Sequence, residues 1–390
     1  MASTTVVIIG GSVAGLTAAH PLLAVAGVKV VLINPSPTFF WNIAAPRIVT
    51  KPAAFESQQY LLPIKDAFAQ YPAESFEFIL GTATAINAES KTVSLTLSDS
   101  DDTKTIPFDY LLIASGASTP ATTGQITGLA IPFKPTNYNN LEEAIQTAQD
   151  HIAKAQNIVI GGAGPVGVEL AGELAEAAAA DGRSVSITLV TATDRVLPML
   201  KESASQAAEK QLQAKRVSII TASRVTDAKA NGEGDSKPWA IKLSSGHELT
   251  ADMYIPTTGC EPNSQFVPPA FLDEDGWVKV DKEMRVLSPE NSTPLSIYAA
   301  GDITTNSMRL SFKAVEQARA AAANIKSDIE GKTDRKSYDQ GESMLMVVPI
   351  GESGGTGQIF GFVMFNFMVR MIKAKDFFVS KAPGILAGKA

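Results

Sequence analysis

The chain has 390 residues, 45% hydrophobic and 19% charged, with a formal net charge of -7 and a single cysteine, Cys260. The length exceeds one ordinary core and predicts two or three domains, while the acidic balance argues against a nucleic acid partner because polyphosphate would be repelled. One cysteine excludes an intrachain disulfide, a multi-cysteine zinc site and a redox-active cysteine pair.

The first residues run straight into the apolar strand 6–9 and leave no room for a signal or transit peptide. Ala2 stands where N-myristoylation requires glycine, and no apolar run reaches the roughly 20 residues that span a bilayer. A cytoplasmic protein is expected.

Strand 6–9 ends in Gly10-Gly11-Ser12-Val13-Ala14-Gly15, followed by a helical stretch and a second apolar strand, 29–33. The same pattern returns downstream: strand 158–161 ends in Gly162-Ala163-Gly164-Pro165-Val166-Gly167, and a helix and the strand 185–190 follow. Glycines at these turns let the backbone approach a pyrophosphate, and the next helix aims its N-terminal N–H groups at that charge. One such motif is weak; two, each inside a strand-helix-strand unit, are strong.

Segments 109–116 and 252–259 form a further matched pair, apolar strands that end in Gly116 and Gly259 and suit close passage by a nucleotide. Stretches 118–127 and 136–140, rich in Thr, Pro and Asn, read as crossover linkers. Toward the end stand Ile297-Tyr298-Ala299-Ala300-Gly301-Asp302 and a helical stretch near 311–329. From Gln358 onward Phe, Met and Ile crowd with Arg370, Lys373, Lys375, Lys381 and Lys389 against Asp376, a local charge of five less one, +4. That tail reads as an amphipathic interfacial helix or as the cover of an apolar channel.

On the paired glycine motifs, the terminal Gly301-Asp302 and the tail 369–380, the sequence resembles the two-dinucleotide-binding flavoprotein reductases. Within them it is similar to the ferroptosis suppressor and AIF-homologous branch, with type II NADH dehydrogenases as cousins. The resemblance implies an α/β fold of two Rossmann-like domains plus a small C-terminal α+β domain. The FAD domain would take 1–128 and 250–328, the NAD(P)H domain 129–249 and the C-terminal domain 329–390.

By resemblance, FAD lies on Gly10, Gly11, Ser12, Ala14 and Gly15, with Asn42, Arg47, Ala114, Gly116 and Ala314 around it and Asp302 on its ribityl chain. Asn34 stands where an acid usually grips the adenosine ribose, and Ser12 replaces the middle glycine. NADH or NADPH lies on Gly162, Gly164, Pro165, Val166 and Gly167, near Gly259. The strand before Thr191 ends without the acid that repels a 2'-phosphate, and Arg195 can reach such a group, so use of both nucleotides is expected.

Lys134 and Glu169 are expected to flank the flavin as a pair, the lysine near N5. Trp41 occupies a position that is histidine in some relatives, so a proton donor is missing there and water or another group must serve. Trp41, Phe312, Phe360 and Phe362 are assigned to the acceptor side. His20, His151, His247 and Cys260 read as structural.

The activity implied is FAD-dependent NAD(P)H:quinone oxidoreduction to the quinol, with peripheral membrane contact through the tail. Two alternatives stay open: an AIF-like redox signalling protein gated by NADH, and a reductase of a small iron-sulfur protein.

Overall fold

The computed structural model describes residues 4–100, 102–135, 140–231, 238–288, 295–341 and 344–389. Of the linker at 136–140 only Asn140 lies within them, and its side chain accepts from the Glu143 N–H to cap the helix Leu141–Lys154.

Fully buried Val6, Val7 and Ile8 make Thr4–Ile9 a central strand. Its sheet runs Ile297–Ala299, Tyr110–Ile113, Thr4–Ile9, Val28–Asn34, Phe76–Asn87, Thr92–Leu97, Thr103–Pro107; the first five are parallel and the last two add antiparallel. A strand apolar on both faces needs cover on both, and helices Val13–Leu23 and Ser311–Ile329 pack together on one side.

The second sheet is a smaller copy: Val217–Ile220, Ser186–Val190, Asn157–Gly161, Met253–Pro256, all parallel. In both sheets the glycine turn leaves a strand flanked by its sequence successor and by a strand from far along the chain, Ile9 beside Ile33 and Ile113, Gly161 beside Val190 and Pro256. The expected return to the first domain at 250 is corrected here. Met253–Pro256 hydrogen-bonds to Asn157–Gly161, so the chain goes back only after Pro256.

The C-terminal part is a three-stranded antiparallel sheet, Met346–Pro349, Gly355–Ile359 and Phe362–Val363, followed by short turns of helix. The helix Asn366–Val369 runs directly into the π-turn Arg370–Ala374. Gly361 closes a hairpin, and Phe377 and Phe378, at φ +49° and +58°, turn the chain out of any helix. Among the described residues no helix is long and apolar enough to cross a membrane.

Candidate functional site

Each glycine turn uses its glycines for a physical reason. Gly10 and Gly162 sit at φ +112° and +121°, backbone that side chains rarely adopt, and a Cβ on Gly15 or Gly167 would overlap the carbonyl oxygen of Gly10 or Gly162. At Gly164 and Gly116 a Cβ would meet nothing within 4 Å, so the backbone faces open space where a phosphate can approach. Helices Val13–Leu23 and Pro165–Ala180 start at these turns, one after Ser12, whose side chain makes no capping bond, the other with Pro165 in its first turn and Val166 half-exposed. Asn34 Oδ1 accepts the Gly11 N–H at 2.7 Å and its Nδ2 donates to Ser36 O, so the amide braces the turn from the end of the neighbouring strand. The arrangement fits one dinucleotide at each turn.

Behind the first turn lie Ala14, Ala114 and Ala314, all buried, and Gly301, at φ +88° against the Ala14 and Ala314 methyls. Gln317, fully buried in the helix Ser311–Ile329, accepts the Gly301 N–H at 2.7 Å and donates to Asn306 O, which fixes the loop carrying Asp302. Asp302 pairs with the Lys134 ammonium. Burial opposes the charge on Lys134, but the Asp302 carboxylate outweighs it and its pKa rises. Asn42, one turn away, donates weakly to Phe133 O at 3.4 Å beside that lysine.

The expected Lys134–Glu169 pair does not form. Glu169 is buried in the helix Pro165–Ala180 and takes its cation from the C-terminal segment, with Lys373 Nζ at 2.7 Å from Oε1. Burial pushes the Glu169 carboxyl above the usual carboxylate range, and Lys373 opposes that shift. Spaced at i, i+4 and i+7 on one face of the same helix, Glu173 and Glu176 continue the series. Glu173 is held by Arg47 through Nε and Nη2, at 3.0 and 2.8 Å, and by Lys51 at 3.0 Å. Glu176 meets Lys51, Lys215 and the Glu352 N–H.

Arg47 was assigned to the cofactor, and its position is corrected here. Besides Glu173, its Nη1 donates to Lys375 O at 3.1 Å and its guanidinium lies 4.7 Å over the Phe377 ring, so its buried side chain is spent on joining domains. Trp41 is likewise buried rather than open to an acceptor, with Nε1 donating to Phe377 O at 2.9 Å. His20 completes this set: Nε2 bonds Leu386 O at 2.8 Å, Nδ1 bonds the Tyr71 hydroxyl, and burial lowers its pKa. Three side chains of the first unit thus hold the segment 375–386 by its backbone carbonyls.

In the second unit Thr191 is buried, and its hydroxyl bonds Thr193 Oγ1 at 2.8 Å. No acid replaces it at the strand end. Arg195 turns away from that end; its Nη2 donates to Pro198 O and Leu200 O, carbonyls freed where Leu197 adopts φ +48°. It shapes the loop instead of reaching outward, which corrects its expected role. Gly259, at φ +81°, lies against Pro120 and precedes Cys260, whose thiol pKa burial raises.

The aromatic residues assigned to the acceptor divide. Phe312 stands half-buried in the first turn of the helix after Asp302. Phe360 and Phe362 stand 83% and 50% exposed on the C-terminal hairpin, where Phe362 meets Phe365 and Phe365 stacks on Phe367, with Met371 exposed beside them. Sequence reasoning missed Lys373, Glu173 and Lys51 as site neighbours. Acids at 169, 173 and 176 were a legible helical stripe; the cations facing them come from distant segments and leave no local signal.

The family model described as pyridine nucleotide-disulphide oxidoreductase matches residues 4–321. An oxidoreductase, ptaL, from Pestalotiopsis fici is 34% identical over 98% of both chains. Ferroptosis suppressor protein 1 of Xenopus tropicalis is 29% identical over 97% of this chain and 95% of its own. Among solved structures, the sulfide:quinone oxidoreductase of Aquifex aeolicus superposes with a TM-score of 0.78 at 19% identity, over 99% of this chain and 92% of that one. The match implies FAD and a nicotinamide nucleotide as cofactors. With its doubled dinucleotide fold, this chain belongs to the pyridine nucleotide-disulphide oxidoreductase family.

Proposed function

We propose that the protein is an FAD-dependent NAD(P)H:quinone oxidoreductase that yields quinol. The observation that carries this reading is the buried Glu169–Lys373 pair, which joins the first turns of the nicotinamide-unit helix to the C-terminal segment. Bound FAD would supply a two-electron carrier between the nicotinamide nucleotide and the acceptor.

The chain's own groups then have distinct tasks. The turn at Gly162–Gly167 seats the nucleotide, and Lys134, anchored on Asp302, sets a cation beside the flavin position. A reduced quinone needs protons on its oxygens; Lys373 and Glu169, a cation with three N–H groups and a carboxyl with a raised pKa, can hold and pass them. Trp41 cannot, since its N–H is taken by Phe377 O. A lone cysteine supplies no dithiol, so electrons leave to an external acceptor. The similar oxidoreductase of Pestalotiopsis fici supports the oxidoreductase class, and the sulfide:quinone oxidoreductase of Aquifex aeolicus makes a quinone the first acceptor to try.

Thr191 leaves the strand end without a repelling carboxylate, and both NADH and NADPH are taken as donors; a preference above roughly a hundredfold, about 2.7 kcal/mol, would defeat this. The hairpin aromatics, flanked by exposed Lys201, Arg370 and Lys375, suit the interface of an anionic membrane. Flotation that leaves intact protein with the soluble fraction, with and without anionic vesicles, would rule that contact out.

The deciding experiment is anaerobic stopped-flow. The purified holoenzyme is reduced with NADH or NADPH and mixed with a soluble ubiquinone analogue. Rapid loss of the flavin band followed by reoxidation at the turnover rate supports the reading; reduction without reoxidation by quinone excludes it.

A further inference from the structure

Arg309 is exposed, in an arrangement that holds its guanidinium in place. Its backbone is left-handed, at φ +55°, a conformation that side-chain-bearing residues rarely adopt. Its guanidinium carbon lies 3.9 Å from the centre of the Trp277 ring, and that indole is 8% exposed.

The loop beneath is fixed on both sides. Gln317 holds Asn306 O and the Gly301 N–H, while Ile303 O and the Thr305 N–H pair with Val278, next to Trp277. The Arg309 N–H itself donates to Ser307 Oγ at 3.1 Å. Among the described residues no carboxylate lies within 4 Å of its side chain.

Its neighbours locate it between the two units. Arg309 lies within electrostatic reach of the Cys260 thiol and of Lys134. Cys260 closely follows Thr257 and Thr258, the residues that back Gly162 in the second glycine turn. Lys134 and Asp302 cancel each other, so the charge of Arg309 is uncompensated at the point where the second turn faces the first unit.

We propose that Arg309 is an anion-recognition residue that binds an anionic oxygen group of a site ligand, either the phosphate of the nicotinamide nucleotide or an acidic substituent of the acceptor. A planar guanidinium stacked on indole presents its free edge N–H groups in a fixed fork, the geometry that suits phosphate and carboxylate. The inference rests on the nucleotide placement proposed above.

The test uses the holoenzyme with Arg309→Gln and Arg309→Lys. NAD+ binding is measured by calorimetry, NADH dependence by the rate of flavin bleaching, and acceptor dependence with two quinones of one ring system, one neutral and one carrying a carboxylate. Arg309→Gln is expected to weaken one anionic ligand by roughly 10- to 100-fold, with Arg309→Lys between it and wild type. Weaker NAD+ and NADH identifies the phosphate; weaker use of the carboxylated quinone alone identifies the acceptor. Changes below twofold in all of these overturn the proposal. Should wild type fail to be bleached by NADH, the oxidoreductase reading falls, while the NAD+ and quinone measurements still decide the role of Arg309.

Discussion

Lys373 Nζ stands 2.7 Å from Glu169 Oε1 across 204 positions of sequence, and the carboxylate is buried in the nicotinamide unit. If this pair delivers protons, Glu169→Gln slows the acceptor half-reaction by about 100-fold or more while NADH bleaching of the flavin changes by only a few-fold. Lys373→Met gives the same kinetic split and also lowers the melting temperature, because it leaves a buried carboxyl without its cation. Equal loss in both half-reactions would mean the pair positions the segment and transfers no proton.

Acid stability carries a second expectation. Lys215, Lys51 and the Glu352 N–H overcome the effect of burial and hold Glu176 at about 2, below its ordinary 4.5. A depressed carboxylate contributes stability that is complete above 4.5 and is lost as pH falls toward 2. Melting temperature measured across that window should fall less steeply for Glu176→Gln than for wild type, and the variant should already be less stable at pH 7.

The doubled nucleotide fold was legible because each glycine turn is local: strand, turn and helix lie within thirty or so residues, and the physics of backbone approach leaves a pattern. The helix Ser311–Ile329 matches the stretch read from sequence. Side-chain partnership was not legible. Lys134 was matched with Glu169, yet each found a different partner, Asp302 and Lys373, because a buried charge takes the nearest counter-charge in space and sequence order says little about that. Arg47 is expected beside FAD and Trp41 on the acceptor side, and packing spends both on the chain end.

Arg47 and Glu173 form a buried bidentate pair, 2% and 0% exposed at their side chains. Arg47→Ala leaves Glu173 with Lys51 alone and should cost about 3 kcal/mol in denaturant unfolding, the lower end for breaking a buried pair, whereas Arg47→Met with Glu173→Leu recovers most of the loss. A double variant no more stable than the single one would show that Lys51, also on Glu173, carries the junction.

Gly164 and Gly167 should separate binding from folding. Gly164→Ala places its methyl in open space, so the fold is kept and nicotinamide nucleotide affinity falls; Gly167→Ala drives a methyl onto Gly162 O and Thr257 Oγ1, so the fold itself suffers. Melting curves beside NAD+ titrations of the two variants distinguish these outcomes.

Phe360 occupies the tip of a two-residue hairpin loop at φ +46°, with Gly361 at +77°. Asparagine tolerates that backbone far better, and Phe360→Asn should stabilise the protein by roughly 1 kcal/mol. The same change should reduce binding to anionic vesicles. A stabilised variant that binds vesicles as well as wild type would take the aromatic tip out of the membrane reading.

Arg47, Trp41 and His20 grip the carbonyls of Lys375, Phe377 and Leu386, groups that every amino acid carries. Lys375 is exposed, whereas Phe377 lies buried under the Arg47 guanidinium and Leu386 is buried, so the attachment leaves the first side chain free to vary and fixes the other two. Substitution can explore the outward positions, such as Lys375 and Lys381, while the docking stays intact. Divergence would accumulate at those outward positions first, and the buried ones would change last.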